Sequence, residues 1–214
     1  MTSRERVSKA LHHQQPDRVP IHESFWEATA NRWHREGLPA GASPDDYFGL
    51  EICVLGVDNS FGLPTEVIKR TDEYVIERDQ WGDLTRNWLD HRSTPELLDF
   101  PIKTRADWDA LKGRLKPDPS RIDWKELKES HAHCRRQGKY ICLGAVPGYE
   151  ATWRKMGPEA LLMAIAEESE WVKEMYAYDA EMIIGLTKLY LEQGLDFDGA
   201  WLWDDLGYRN ALLF

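Results

Sequence analysis

Two adjacent carboxylates, Asp204 and Asp205, stand directly after an apolar run over residues 199–203, Gly-Ala-Trp-Leu-Trp, and Gly207 lets the chain turn away. Apolar runs of about 4–8 residues bounded by turn signals are the pattern of strands buried on both faces, as in parallel sheets. In barrels and doubly wound folds the carboxyl ends of such strands carry the chemistry. A carboxylate there would serve as a general acid or base, or accept a hydrogen bond from a substrate or cofactor amide. Adjacent strand residues point to opposite faces, so one of the two enters a cleft unless the chain turns between them. The competing account is a turn aspartate that caps the next segment.

Other residue types suggest chemistry elsewhere. His22 and Glu23 end a short extended run, where an imidazole beside carboxylates could shuttle protons near neutral pH; a strand-end histidine satisfied by backbone is the alternative. Asp58 and Asn59 follow a β-favouring run over 51–57 and could hydrogen-bond a ligand, although Asx-turn chemistry explains them equally well. Tyr149 and Trp153, four apart on a short predicted helix, could wall a flat-ring pocket or pack as ordinary helix residues. The turn 144–148, Gly-Ala-Val-Pro-Gly, lacks the glycine spacing and lysine of a phosphate loop, but Gly144 would let a ligand approach the backbone. His131, His133 and Cys134 resemble metal spacing, yet residues two apart do not share a helical face and two ligands do not make a zinc site. No metal site is expected.

The elements that must position these residues follow from periodicity. Helices are predicted over 2–13, 25–36, 44–49, 104–115, 123–137 and 149–156. A helical stripe from 158 to 193 is long enough to break near Glu168-Ser169. An entering strand is expected at 17–23, with Val19 and Ile21 as its apolar members, and buried strands at 51–57, 140–145 and 199–203. Residues 65–90 alternate as a small antiparallel meander with strands at 66–68, 73–77 and 84–88. Helix, strand, helix pair, strand in the second half means parallel βα units, hence the α/β class in one domain over 1–214.

Composition excludes several roles. A formal charge of −10 argues against nucleic acid or an anionic membrane as the partner. No window approaches a membrane span, and the N-terminus lacks the apolar core of a signal peptide. Cys53, Cys134 and Cys142 form no recognisable disulfide framework, so a reducing, cytoplasmic setting is expected. The ten tryptophans suit core packing, with a share of them available to line an aromatic cleft.

Several motifs, in order, carry a resemblance. Ser3-Arg4-Glu5-Arg6-Val7 through Leu11 and His13, then Pro16-Asp17-Arg18-Val19-Pro20, resemble the opening of proteins in the uroporphyrinogen decarboxylase superfamily. Asp58-Asn59-Ser60-Phe61-Gly62, Gly144-Ala145 with Pro147, and Trp203-Asp204-Asp205-Leu206-Gly207 fall in the expected order behind it. The similarity spans essentially the whole chain. It implies a (β/α)8 barrel with its cleft at the strands' carboxyl ends; such barrels need about 250 residues. The chain would then be the N-terminal part of a barrel with the meander as an insertion, and would need the missing C-terminal half. The apolar ending Ala-Leu-Leu-Phe fits the expectation that Phe214 is not the end of the functional polypeptide.

The resemblance implies one of two chemistries. Decarboxylases of this superfamily act on tetrapyrrole acetates without a cofactor. Their relatives move methyl groups between a corrinoid, a thiol and methylated substrates, many with zinc. Where the decarboxylases supply arginines for substrate carboxylates, this chain has Ile21-His22-Glu23-Ser24-Phe25-Trp26-Glu27, and Trp153 stands at the position of their functional tyrosine. Both departures favour methyl transfer, with a corrinoid as co-substrate and any zinc ligands beyond Phe214. The expected catalytic residues are Asp205, Asp204 and His22. Asp58, Asn59, Glu23, Gly144, Tyr149, Trp153 and Trp203 form the expected binding set. The substrate would be a small molecule or a corrinoid protein, and the resemblance is compatible with a homodimer. Tetrapyrrole decarboxylation, or an inactive or partner-dependent fragment, are the alternatives.

Overall fold

The computed structural model describes residues 1–90 and 94–213; His91, Arg92, Ser93 and Phe214, with the expectation attached to Phe214, lie outside them. The first helix, α1 (Ser3–Leu11), starts where a capping box can form: Thr2 Oγ1 accepts from the Glu5 amide at 3.2 Å and Glu5 Oε2 accepts from the Thr2 amide at 2.8 Å. Two short helices follow, α2 (Glu27–Glu36) and α3 (Pro44–Tyr47), the second with Ser43 before it and proline at its first position. Strand β1 (Ile52–Gly56) opens the main sheet. It pairs in parallel with β6 (Tyr140–Ala145), which pairs in parallel with β7 (Gly199–Leu202), so β6 is central.

Between β1 and β6 the chain makes an antiparallel meander of β2 (Glu66–Arg70), β3 (Tyr74–Arg78), β4 (Leu84–Trp88) and β5 (Glu96–Asp99). The expected excursion over 65–90 therefore gains a fourth strand, whose two adjacent leucines carry no β-branched signature. Next come α4 (Arg105–Leu111), capped by Thr104, and α5 (Trp124–Arg136), capped by Asp123. From β6 the chain runs through α6 (Gly148–Met156), α7 (Pro158–Glu167) and α8 (Ser169–Glu192) before β7; the long helical stripe breaks at Glu168. Gly194, at φ 79°, turns the chain out of α8, a backbone region that glycine enters at little cost. The protein is thus mixed α/β, with one parallel and one antiparallel sheet.

One face of the parallel sheet is covered. Ile141 and Leu55 pack with Cys134, Leu127 and Phe197, while Leu143 packs with Tyr190 and Leu195. Among the described residues the opposite face is closed at one end, where Val7 of α1 meets Tyr140, Cys142 and Ile52. Further along it stays open, with Val54 38% and Trp201 39% exposed. Two expectations fail here. The 199–203 run is not buried on both faces: β7 has one described neighbour, and Leu202 is 57% exposed. An apolar run alone does not distinguish an edge strand from a central one. Among the described residues, 17–23 also join no sheet. A ladder-like bond runs from the Glu51 amide to the Ile21 carbonyl at 3.0 Å, and Val19 is 79% exposed.

The opening motif is instead a charge clamp. Arg6 donates to Asp17 at 2.6 and 2.8 Å and to the wholly buried Glu51, which also accepts from Arg18 Nη1 and the Ile21 amide, each at 2.9 Å. Arg6 holds the Asp17 carboxyl down to about 2. A second buried pair, Lys155 with Asp179, lies inside the main core between α6 and α8. Such pairs contribute little net stability, but loss of one partner typically costs about 3–5 kcal/mol. One cysteine expectation is corrected: Cys53 of β1 and Cys134 of α5 are joined by a disulfide, with Cα atoms 6.3 Å apart, and Cys142 is a buried free thiol. The two are 81 residues apart, and only the packing of α5 on β1 brings them together.

Candidate functional site

The open face of the parallel sheet carries a cleft of about 750 Å³. β1 contributes Ile52 and Val54 to its floor, and β7 contributes Trp201, which with Trp203 one period further along lies on the same side of the chain. The loop before α2 supplies His22, Glu23, Ser24 and Phe25, and the first turn of α3 supplies Asp45. No lysine or arginine is among these described lining residues.

His22 stands edge-on to Trp201, with ring centroids 4.8 Å apart at 69°. Its Nδ1 is buried without a hydrogen-bond partner among the described residues. Burial lowers the His22 pKa below the usual imidazole value, outweighing the nearby Asp45 and Glu23 charges that would raise it. The ring is therefore poised neutral near pH 7, and a neutral imidazole both accepts and donates a proton. Glu23 Oε1 accepts from the Ser24 amide at 2.9 Å.

Of the residues expected from sequence, His22, Glu23 and Trp203 meet here; the others stand elsewhere. Asp204 reaches the start of α6, where it accepts from the Tyr149 amide at 3.1 Å and the Glu150 amide at 2.7 Å. Asp205 is exposed, with no partner for its side chain among the described residues. Asp58 accepts from the Ser60 amide at 3.0 Å and from Arg121 at 2.8 Å. Burial works to raise its pKa, but the bonds from Ser60 and Arg121 outweigh it and hold the carboxyl below its usual value. It borders a separate, smaller cleft of about 270 Å³ between β1, α5 and α8. Asn59 is buried and donates to the Val146 carbonyl at 2.9 Å.

Gly144 needs its missing side chain for packing, since a Cβ there would lie 2.5 Å from Val54 Cγ1. Tyr149 is buried in the main core, where burial raises its pKa. Trp153 donates its indole N–H to Glu150 at 2.7 Å and packs beside that core. His131 bonds the Asp196 carbonyl at 2.8 Å, and Cys134 is in the disulfide. Among the described residues no group of three or more His, Cys, Asp or Glu side chains could hold a metal ion.

Sequence reasoning missed Trp201 and Asp45. The first had a usable signal, the two-residue spacing from Trp203 on one strand. Asp45 had none, because an aspartate in the first turn of a helix is already explained by the helix dipole. Fold and site together define a mixed α/β protein with an aromatic, acid-lined cleft on the open face of its parallel sheet. Compared with family models, curated proteins and solved structures, the chain matches none of them. Among the described residues no helix is long and apolar enough to cross a membrane.

Proposed function

We propose that the protein is a uroporphyrinogen decarboxylase-like enzyme, the N-terminal part of a barrel, that works in corrinoid-linked methyl transfer. The observation that carries this choice is the make-up of the cleft: His22, Glu23 and Asp45 with aromatic walls and no lysine or arginine among its described lining residues. A tetrapyrrole carrying several carboxylates would meet repulsion there rather than charge-assisted pairing. His22 is the imidazole on the cleft, beside the carboxyls of Glu23 and Asp45, and can exchange a proton near neutral pH, and Trp201 with Trp203 presents apolar surface to a flat or methylated substrate. The described residues do not fit zinc, so no step is assigned to it. The test is incubation of the protein with methylcobalamin and a thiol acceptor, and separately with uroporphyrinogen. Loss of the methyl group from the corrinoid is the expected result; decarboxylated porphyrin products would overturn the choice.

A second reading, dependence on a partner chain, is favoured by the sheet itself. β1 and β7 each have one described neighbour, and the apolar residues of β7 are exposed. Methyl transfer that appears only after addition of a second polypeptide would select it.

A further inference from the structure

We propose that the cleft at His22 binds a quaternary ammonium cation. The proposal rests on the reading that this cleft is the substrate site, and it names the substrate class. Two independent features of the wall select it. One is the aromatic surface of Trp201 and Phe25, which line the cleft with Trp203; Trp201 is 39% and Trp203 41% exposed, and the Trp203 ring also lies 6.0 Å from the Arg154 guanidinium. Aromatic faces attract cations through their quadrupole, and aromatic cages are the recurrent means of holding methylated ammonium groups that cannot donate a hydrogen bond.

The other feature is uncompensated negative charge. Among the described residues neither Glu23 nor Asp45 is ion-paired, although both carboxylates act on His22. The cation that also bears on His22, Lys139, is engaged by Asp46 at 2.8 Å. A neutral ligand of the same shape would leave both carboxylates unneutralised, and an anion would be repelled. A cation with methyl groups meets both requirements: its charge answers Glu23 and Asp45, and its methyl surface answers the indoles. The volume of about 750 Å³ leaves room for more than a bare trimethylammonium group, so a substituted cation fits.

The experiment is calorimetric titration of the protein, without corrinoid, using choline as probe and 3,3-dimethylbutan-1-ol, its uncharged carbon isostere, as control. Choline binds, and the isostere binds at least about tenfold more weakly. Trp201→Leu weakens choline about tenfold, and Glu23→Gln weakens it a few-fold with a smaller salt dependence. Both positions are at the surface of the cleft, and circular dichroism verifies that the variants fold. The proposal is overturned if the isostere binds as tightly as choline, if neither variant changes choline affinity, or if choline shows no binding up to about 10 mM. Because no corrinoid is present, a failure of methyl transfer would not affect this result. Methyl transfer from some other donor, with no choline binding, would retire the cation alone.

Discussion

The Asp204 carboxylate lies 2.7 Å from the backbone nitrogen of Glu150, at the start of a helix whose own preceding residue, Pro147, offers no side-chain cap. Asp204 thus takes the capping role from outside, through a segment 54 residues away in sequence. Asp204→Ala is expected to cost about 1–2 kcal/mol, the loss of a charged cap on two helix amides. Asp205→Ala should stay within about 0.5 kcal/mol, as for an exposed, unpaired residue. Urea midpoints of the two variants check this; equal losses would mean that Asp204 does not cap α6.

Gly144 and Val54 share one space on the open face of the sheet. Gly144→Ala is expected to destabilise by about 1–3 kcal/mol, because the new methyl group overlaps Val54. Val54→Ala in the same chain should recover part of that loss. Thermal denaturation of the single and double variants gives the coupling, and strict additivity would remove the explanation.

Asp83 is buried at the turn between β3 and β4. Burial, with Asp79 hydrogen-bonded beside it, pushes its carboxyl up to about 8 from an ordinary 3.8. A carboxyl raised on folding contributes stability that is fully present below its unfolded value and is lost as pH climbs through the folded one. Stability attributable to Asp83 therefore declines across the window from about pH 4 to pH 8. Asp83→Asn should flatten that decline and raise stability near pH 7 by about 1–3 kcal/mol. Unfolding free energies measured across the window test it; parallel wild-type and variant curves would contradict it.

The Cys53–Cys134 bond closes a loop across 81 residues. Reduction should lower unfolding stability by about 2–4 kcal/mol through the freer unfolded chain. Non-reducing peptide mapping should recover Cys53 and Cys134 as one crosslinked species, and Cys142 should react with alkylating reagents only after unfolding. Recovery of three free thiols from the native protein would show that the bond is not made.

Local structure was legible where local chemistry suffices. Thr2 and Glu5, Thr104 and Asp107, and Asp123 announce helix starts because a side chain and an amide three residues apart satisfy each other without tertiary help. The 140–145 run names a buried strand because Gly138 and Pro147 punctuate it on both sides. The length of the 158–193 stripe, rather than a cap, placed its break near Glu168-Ser169.

What sequence alone determined, then, was the identity of most elements, the α/β alternation, and a set of polar residues at their ends. Which of those residues face one another was decided only by the tertiary structure. An aspartate after a strand has the same sequence signature whether it faces a ligand, as expected of Asp204, or a helix end 54 residues away, as found. Likewise Trp201 and His22 became one wall, and Cys53 and Cys134 one bond, through packing of distant segments. Periodicity reports which side of an element is apolar, and carries no term for what that side meets.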